Sequence, residues 1–210
     1  MMTGMLNDFW KIIENSLYFI ALINPASKIF FLTAHRPQLS ARDVRHISWR
    51  ATMAAFFILL GCCLGGHFVL EKIFRVKLYA LQLSGGLVLL FTGLAAVQKG
   101  VFYHDTDQQK HPSYDELSIV PLAAPLIAGP GTIAATISFS MQYGTLSTLL
   151  ALIPALLINL LLMLVSRGIS RTLEFFAFAG PVIRLTGLIV MAVAMQMMLS
   201  GASGFISSLK

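Results

Sequence analysis

Apolar positions in this chain gather into six runs, at residues 12–34, 49–70, 78–98, 119–141, 146–165 and 183–203. Each is close to the roughly 20 residues that a helix needs to cross a hydrocarbon core about 30 Å thick. Polar positions collect between them. A basic segment at 35–50 carries Arg36, Arg42, Arg45 and Arg50, and a short polar link follows at 71–77. A polar loop occupies 99–116, a tight turn lies near 143–145, and an amphipathic connector runs from 167 to 184. The pattern predicts an all-α membrane protein of six transmembrane helices.

Two of these runs are interrupted. Residues 117–166 contain neither a charge nor a histidine, yet Pro121, Pro125, Gly129, Pro130 and Gly131 crowd the first crossing inside them. Proline removes a backbone donor and clashes with the preceding turn. In lipid an unsatisfied backbone group costs several kcal/mol, so such a segment survives only beside protein or a wet cavity. The first run is broken likewise, at Asn24-Pro25-Ala26-Ser27.

The two halves echo one another around the polar loop. Leu83-Ser84-Gly85 opens the third run and Leu185-Thr186-Gly187 the sixth, 102 positions later (185 less 83). The break at Asn24-Pro25 finds its counterpart at Gly129-Pro130, 105 positions later (129 less 24). Three crossings per half turn the second half upside down relative to the first. Two inverted repeats with broken helices in spans one and four form the plan of secondary transporters, which bind their substrate near the midplane. The chain is accordingly divided into a first repeat at 1–98, a cytoplasmic loop at 99–117 and a second repeat at 118–210.

Composition agrees with this reading. Of 210 residues 57% are hydrophobic and only 11% charged, far below the quarter or so typical of soluble domains. The net charge of +6 would suggest nucleic acid in a soluble protein; in a membrane protein it sets topology. With the amino terminus outside, the inner segments hold Arg36, Arg42, Arg45, Arg50, Lys99, Lys110, Arg167, Arg171 and Arg184. The outer ones hold Lys11, Lys72, Arg75, Lys77 and Lys210. Nine against five favours both termini outside. Charges at the amino terminus are mixed, so it does not read as a cleaved signal. The adjacent Cys62 and Cys63 read as buried structural residues, because neighbouring cysteines rarely pair.

The candidate substrate-binding residues follow from the breaks. Asn24, Pro25 and Ser27 sit at the first, and Gly129, Pro130, Gly131 and Thr132 at the second. A half-helix restarting after Pro130 presents amides without intrahelical partners, suited to a carboxylate. Thr132, Thr136 and Ser140 share one face, either as a polar stripe on a pathway or as hydroxyls bonded back to their own helix. Ser84 and Gly85 belong to a small-residue strip that either lets helices approach or shapes a small cavity. Lys28 lies deep in the first span, where an ionised side chain is a functional candidate unless it snorkels to a boundary. Ser27 next to Lys28 does not form a hydrolase dyad, since adjacent residues on a helix point apart. No carboxylate lies in spans two to six.

At this level the residues resemble a known family. VPLAAPLIAGPGTIA is similar to the span-four signature of the MarC family of integral membrane proteins, described also as neutral amino-acid transporters. INPASKIFFLT resembles its first-span motif, LQLSGGLVLL its third and IRLTGLIVMAVAMQMMLSG its sixth. Ser27 stands where that family usually has glycine, and Phe30 where a second proline is frequent. The resemblance implies a bacterial or archaeal inner-membrane protein that moves glycine, alanine and similar amino acids.

The expectation is therefore a transporter rather than an enzyme. Small neutral amino acids and the lipid bilayer are its partners, with a homo-oligomer open. No cofactor, metal or nucleic acid is expected, and a proton or Na+ is the candidate coupling ion. An exporter of another small metabolite and a non-transporting scaffold are the rival readings.

Overall fold

The computed structural model describes residues 2–34, 39–100, 118–175 and 178–209. Most of the inter-repeat loop, at 101–117, lies outside the described residues, as does Arg36 of the topology count. The chain forms α1 (Met2–Ile23), α2 (Pro25–Ala34), α3 (Ala41–Phe68), α4 (Leu78–Lys99) and α5 (Ser118–Ile127). It continues with α6 (Pro130–Tyr143), α7 (Thr145–Leu164), α8 (Ser166–Phe175) and α9 (Ala179–Ser207). Among the described residues there is no strand.

Five stretches are long and apolar enough to cross a membrane: Trp10–Thr33, Ala41–Ile73, Leu78–Lys99, Thr145–Leu164 and Ala179–Ser207. The sixth expected crossing is divided between α5 and α6. Neither half spans a bilayer alone, since the 14 residues of α6 rise only about 21 Å.

Local chemistry explains the ends. Helix α3 starts eight residues before the apolar run predicts, inside the basic segment. Ser40 caps it by accepting from the Asp43 amide while the Asp43 carboxylate accepts from the Ser40 amide, a reciprocal capping box. A wide, π-type turn at Val69–Ile73 extends α3. Helix α5 is wound the same way, with the Ala128 amide donating to the Ala123 carbonyl five residues back at 2.8 Å. Pro121 and Pro125 lack the amides an ordinary α ladder would need there. The predicted connector at 167–184 contains a helix of its own, α8, which buries Ser166 and Ser170 and exposes Arg167 and Arg171.

The most extensive contact joins α4 to α9. Its seam is made of glycine. A methyl group on Gly86 would meet the Ala194 carbonyl at 2.9 Å, one on Gly93 the Gly187 carbonyl at 2.8 Å, and one on Gly187 the Gly93 carbonyl at 3.0 Å. Backbones this close exchange dispersion along their length, the main attraction between helices in lipid. Elsewhere α1 and α2 pack on α7, α3 on α5, α6 and α7, α4 on α6, and α1 and α2 on α9. Phe19, Ile23, Ile47, Leu59, Leu122, Ile127, Leu152 and Met163 fill the centre, while Phe57, Leu64, Phe91, Leu161, Leu185 and Leu199 point outward. In water that apolar exterior would drive aggregation; in a bilayer it is the lipid surface.

Candidate functional site

The first break is a single residue. Asn24 takes φ 51°, a left-handed conformation that asparagine tolerates better than other side chains bearing a Cβ. There the chain leaves α1 and restarts at Pro25, whose fixed φ suits the first position of a helix. The Asn24 carbonyl accepts from the Ser27 amide at 3.1 Å and from the Ser27 hydroxyl at 2.8 Å. Asn24 itself is buried, and among the described residues its carboxamide makes no hydrogen bond.

Lys28 is buried at the first break. It does not snorkel, being only 2% exposed. Its stem folds back, and Nζ donates to the Ile23 carbonyl and to the Ser27 hydroxyl, the latter at 3.0 Å. The ammonium thus caps the carboxyl end of α1, where the helix dipole favours a cation. The expectation that Ser27 and Lys28 point apart is corrected by this fold-back. The lysine is nonetheless a donor in this contact, and the serine proton is engaged by Asn24, so the pair is not arranged as nucleophile and base.

At the second break Gly129 precedes α6 with no side-chain cap, and Pro130 holds the first helical position. The ladder begins at Ile133, which donates to Gly129 at 2.9 Å. Gly131 and Thr132 are buried in front of it. Glycine is required at Gly129, where a methyl would meet the Pro125 carbonyl at 2.5 Å, and at Gly131 a methyl would force the Leu89 side chain to move. Gly85 packs close by, its would-be methyl 2.9 Å from Ala134 and 3.5 Å from the Pro130 carbonyl. Ser84 is apart from all of these, exposed on α4 and bonded back to Leu81 at 3.1 Å.

The hydroxyl stripe of α6 is turned inward on its own backbone. Thr136 donates to the Thr132 carbonyl at 2.7 Å and Ser140 to the Ile137 carbonyl at 3.1 Å. A different face of α6 opens on a cavity. Ala135, Ser138, Phe139, Gln142 and Tyr143 line a cavity of about 370 Å³ with Tyr18 of α1, Tyr79 and Gln82 of α4, and Gln196 and Ser200 of α9. Gln82 and Gln142 both donate to the Ser138 hydroxyl, at 2.7 and 2.9 Å. The cavity sits at the end of the bundle where α4 begins and α6 and α9 finish. Its lining on α6 repeats at three- and four-residue steps, and the same face continues one turn further to Gly131. Sequence reading missed this group, because isolated glutamines in apolar runs carry no periodic signal. The spacing Ser138–Gln142 with Gln196–Ser200, both at i and i+4, was the only trace.

Among the described residues no group of three or more His, Cys, Asp or Glu could hold an ion. Cys62 and Cys63 are free thiols, the second buried and the first half-buried.

The family signature matches across residues 9–206, as MarC family integral membrane protein. The chain belongs to the MarC family. It is 32% identical to a UPF0056 membrane protein of Pyrococcus horikoshii over 95% of this chain and 96% of that one. Similar relatives are UPF0056 membrane proteins of Buchnera aphidicola, 28% identical over 96% of each chain, and of Bacillus subtilis, 27% identical over 93% of this chain and 96% of that one. No solved structure matches the chain. Like other MarC proteins, this is an integral, multi-pass membrane protein.

Proposed function

We propose that this MarC protein is a secondary transporter for small neutral amino acids of the glycine and alanine class. It would act in a bacterial inner membrane, with both termini outside and two inverted three-span repeats. The carrying observation is that the two chain breaks lie on elements that face each other: α1 packs on α6, and α2 on α5. That cross-pairing is what two antiparallel spans interrupted at similar depths produce. The rings of Tyr18 and Phe19 meet that of Phe139, at 5.2 and 5.3 Å. From that level Asn24 is five residues along α1, about 7.5 Å, and Pro130 nine residues back along α6, about 13.5 Å. The breaks then differ in depth by about 6 Å, roughly one helical turn.

Part of the packing supports the repeat. Exchanging α1 and α2 with α5 and α6, α3 with α7, and α4 with α9 turns the contacts of α3 with α5 and α6 into those of α7 with α1 and α2, and that of α4 with α6 into that of α9 with α2, while the contact of α6 with α7 has no comparable counterpart. Under this exchange α4–α9 and α3–α7 map onto themselves.

In the proposed mechanism a zwitterion sets its carboxylate on the Gly131 and Thr132 amides, at the positive end of α6. Its ammonium cannot use the Ile23 and Asn24 carbonyls, which Lys28 and Ser27 already occupy; the unpartnered Asn24 carboxamide takes it instead. The packing around Gly129, Gly131 and Gly85 is too close for even an added methyl group, which disfavours a substrate with a large side chain. The glycine-tight α4–α9 seam, one helix from each half, is the pivot about which access alternates. A proton or Na+ remains the candidate coupling ion.

Purified protein in liposomes provides the test. Glycine and alanine uptake should be mutually competitive, and tryptophan and arginine should not compete. Failure of every neutral amino acid to enter above protein-free vesicles would end the transport reading.

A further inference from the structure

We infer that the cavity between α1, α4, α6 and α9 is a second binding site, for a small solute of no net charge that accepts a hydrogen bond from Ser138. The argument starts from the two lone pairs of a hydroxyl oxygen. Both are used on Ser138, by Gln82 at 2.7 Å and Gln142 at 2.9 Å. The group's remaining capacity is its own proton. Other helical hydroxyls here spend that proton on the carbonyl four residues back, as Thr136, Thr148 and Ser200 do. Ser138 does not: among the described residues its proton has no acceptor, although the side chain is 2% exposed. A buried donor left unmade is costly, and the space it faces is the cavity.

The surroundings define the occupant. Gln82, itself 7% exposed, spends an amide N–H on Ser138 and keeps its carbonyl oxygen for a donor, as does Gln142. Ser138 and the two carbonyls together offer one donor flanked by acceptors, which fits a carboxylate beside an ammonium or the two ends of a primary amide. Among the described residues lining the cavity there is no Asp, Glu, Lys, Arg or His, so an unpaired ionic side chain would be desolvated without compensation. A volume of about 370 Å³ lies at the small end of ligand pockets. The face of α6 that lines it leads on to Gly131, so the cavity is an outer station before the breaks. It rests on the transport reading only for the choice of glycine as first probe, because binding here requires no transport.

The experiment places a reporter in the wall. Full-length protein in nanodiscs, carrying Cys62→Ala, Cys63→Ala and Ser200→Cys, is labelled with a maleimide in the presence of glycine, alanine, acetamide, glutamate or arginine. The neutral solutes should slow labelling several-fold at saturation and the charged ones should not. Adding Ser138→Ala should raise the half-protecting concentration about tenfold or more, while Ser138→Thr, which keeps the hydroxyl, should shift it little. Thermal unfolding of the chain with its native cysteines gives an independent readout, in which neutral solutes raise Tm and Ser138→Ala removes the rise. Absence of protection and of a Tm rise overturns the site, as does protection indifferent to Ser138 or equal for charged solutes. Ser138-dependent protection without uptake would leave this site standing and remove the transport reading; uptake without protection does the opposite.

Discussion

Asn24 serves two purposes that a substitution series can separate: it bends the backbone, and it carries a carboxamide proposed to meet the substrate. Its φ of 51° costs an ordinary L-residue about 1–2 kcal/mol, a cost absent for glycine and reduced for asparagine. Asn24→Gly should therefore fold as well as the parent. Asn24→Ala should lose about 1 kcal/mol, and Asn24→Val more, because a β-branched side chain is poorly accommodated there. The carboxamide is deleted equally in all three. Thermal unfolding in detergent reports the backbone cost, and glycine flux per folded protein in liposomes reports the side chain. Losing one hydrogen bond to a charged ammonium costs about 1.5–3 kcal/mol, so affinity should fall at least tenfold in every variant, Asn24→Gly included. A glycine variant that transports like the parent would refute the role given to the side chain, leaving Asn24 a bend and nothing more.

Lys28→Met removes the cation from the end of α1 and leaves the Ile23 carbonyl without it, so Tm should fall; if glutamate competed with glycine in the parent and lost that ability here, Lys28 rather than Asn24 would be the specificity residue. Gly93→Ala forces a methyl to within 2.8 Å of the Gly187 carbonyl and should cost about 1–3 kcal/mol, whereas Gly61→Ala, where nothing lies within 4 Å, should be neutral in a parallel melt. Topology is checked by cysteine labelling at positions 107 and 208 in sealed cells: reagent confined to the outside should reach 208 alone, and labelling of 107 would reverse the orientation.

What the sequence revealed depended on whether the signal was local. Asn24-Pro25 and Gly129-Pro130 mark their breaks outright, because proline and glycine act on their own backbone. The beginning of α3 was hidden by its charges, since hydropathy ignores the Ser40–Asp43 cap that starts a helix in polar sequence. The resting place of Lys28 was undecidable from spacing, as its long stem could run outward or fold back five residues. The spacing of Thr132, Thr136 and Ser140 fitted a pathway stripe and back-bonding equally, and only the structure places the Thr136 proton on the Thr132 carbonyl. Ser138, two residues from Thr136 and from Ser140, acquires its meaning from Gln82, 56 positions away, and no local pattern records such a pairing.

The glycine seam also orders the birth of the molecule. Gly93 leaves the ribosome 94 residues before Gly187 (187 less 93), and chains assemble largely in the order of synthesis. During that interval the backbone groove of α4 faces lipid or a chaperone, with nothing of its own to fill it. Closure waits for α9, so a chain truncated before that helix is a membrane protein with its keystone groove open, a natural mark for quality control.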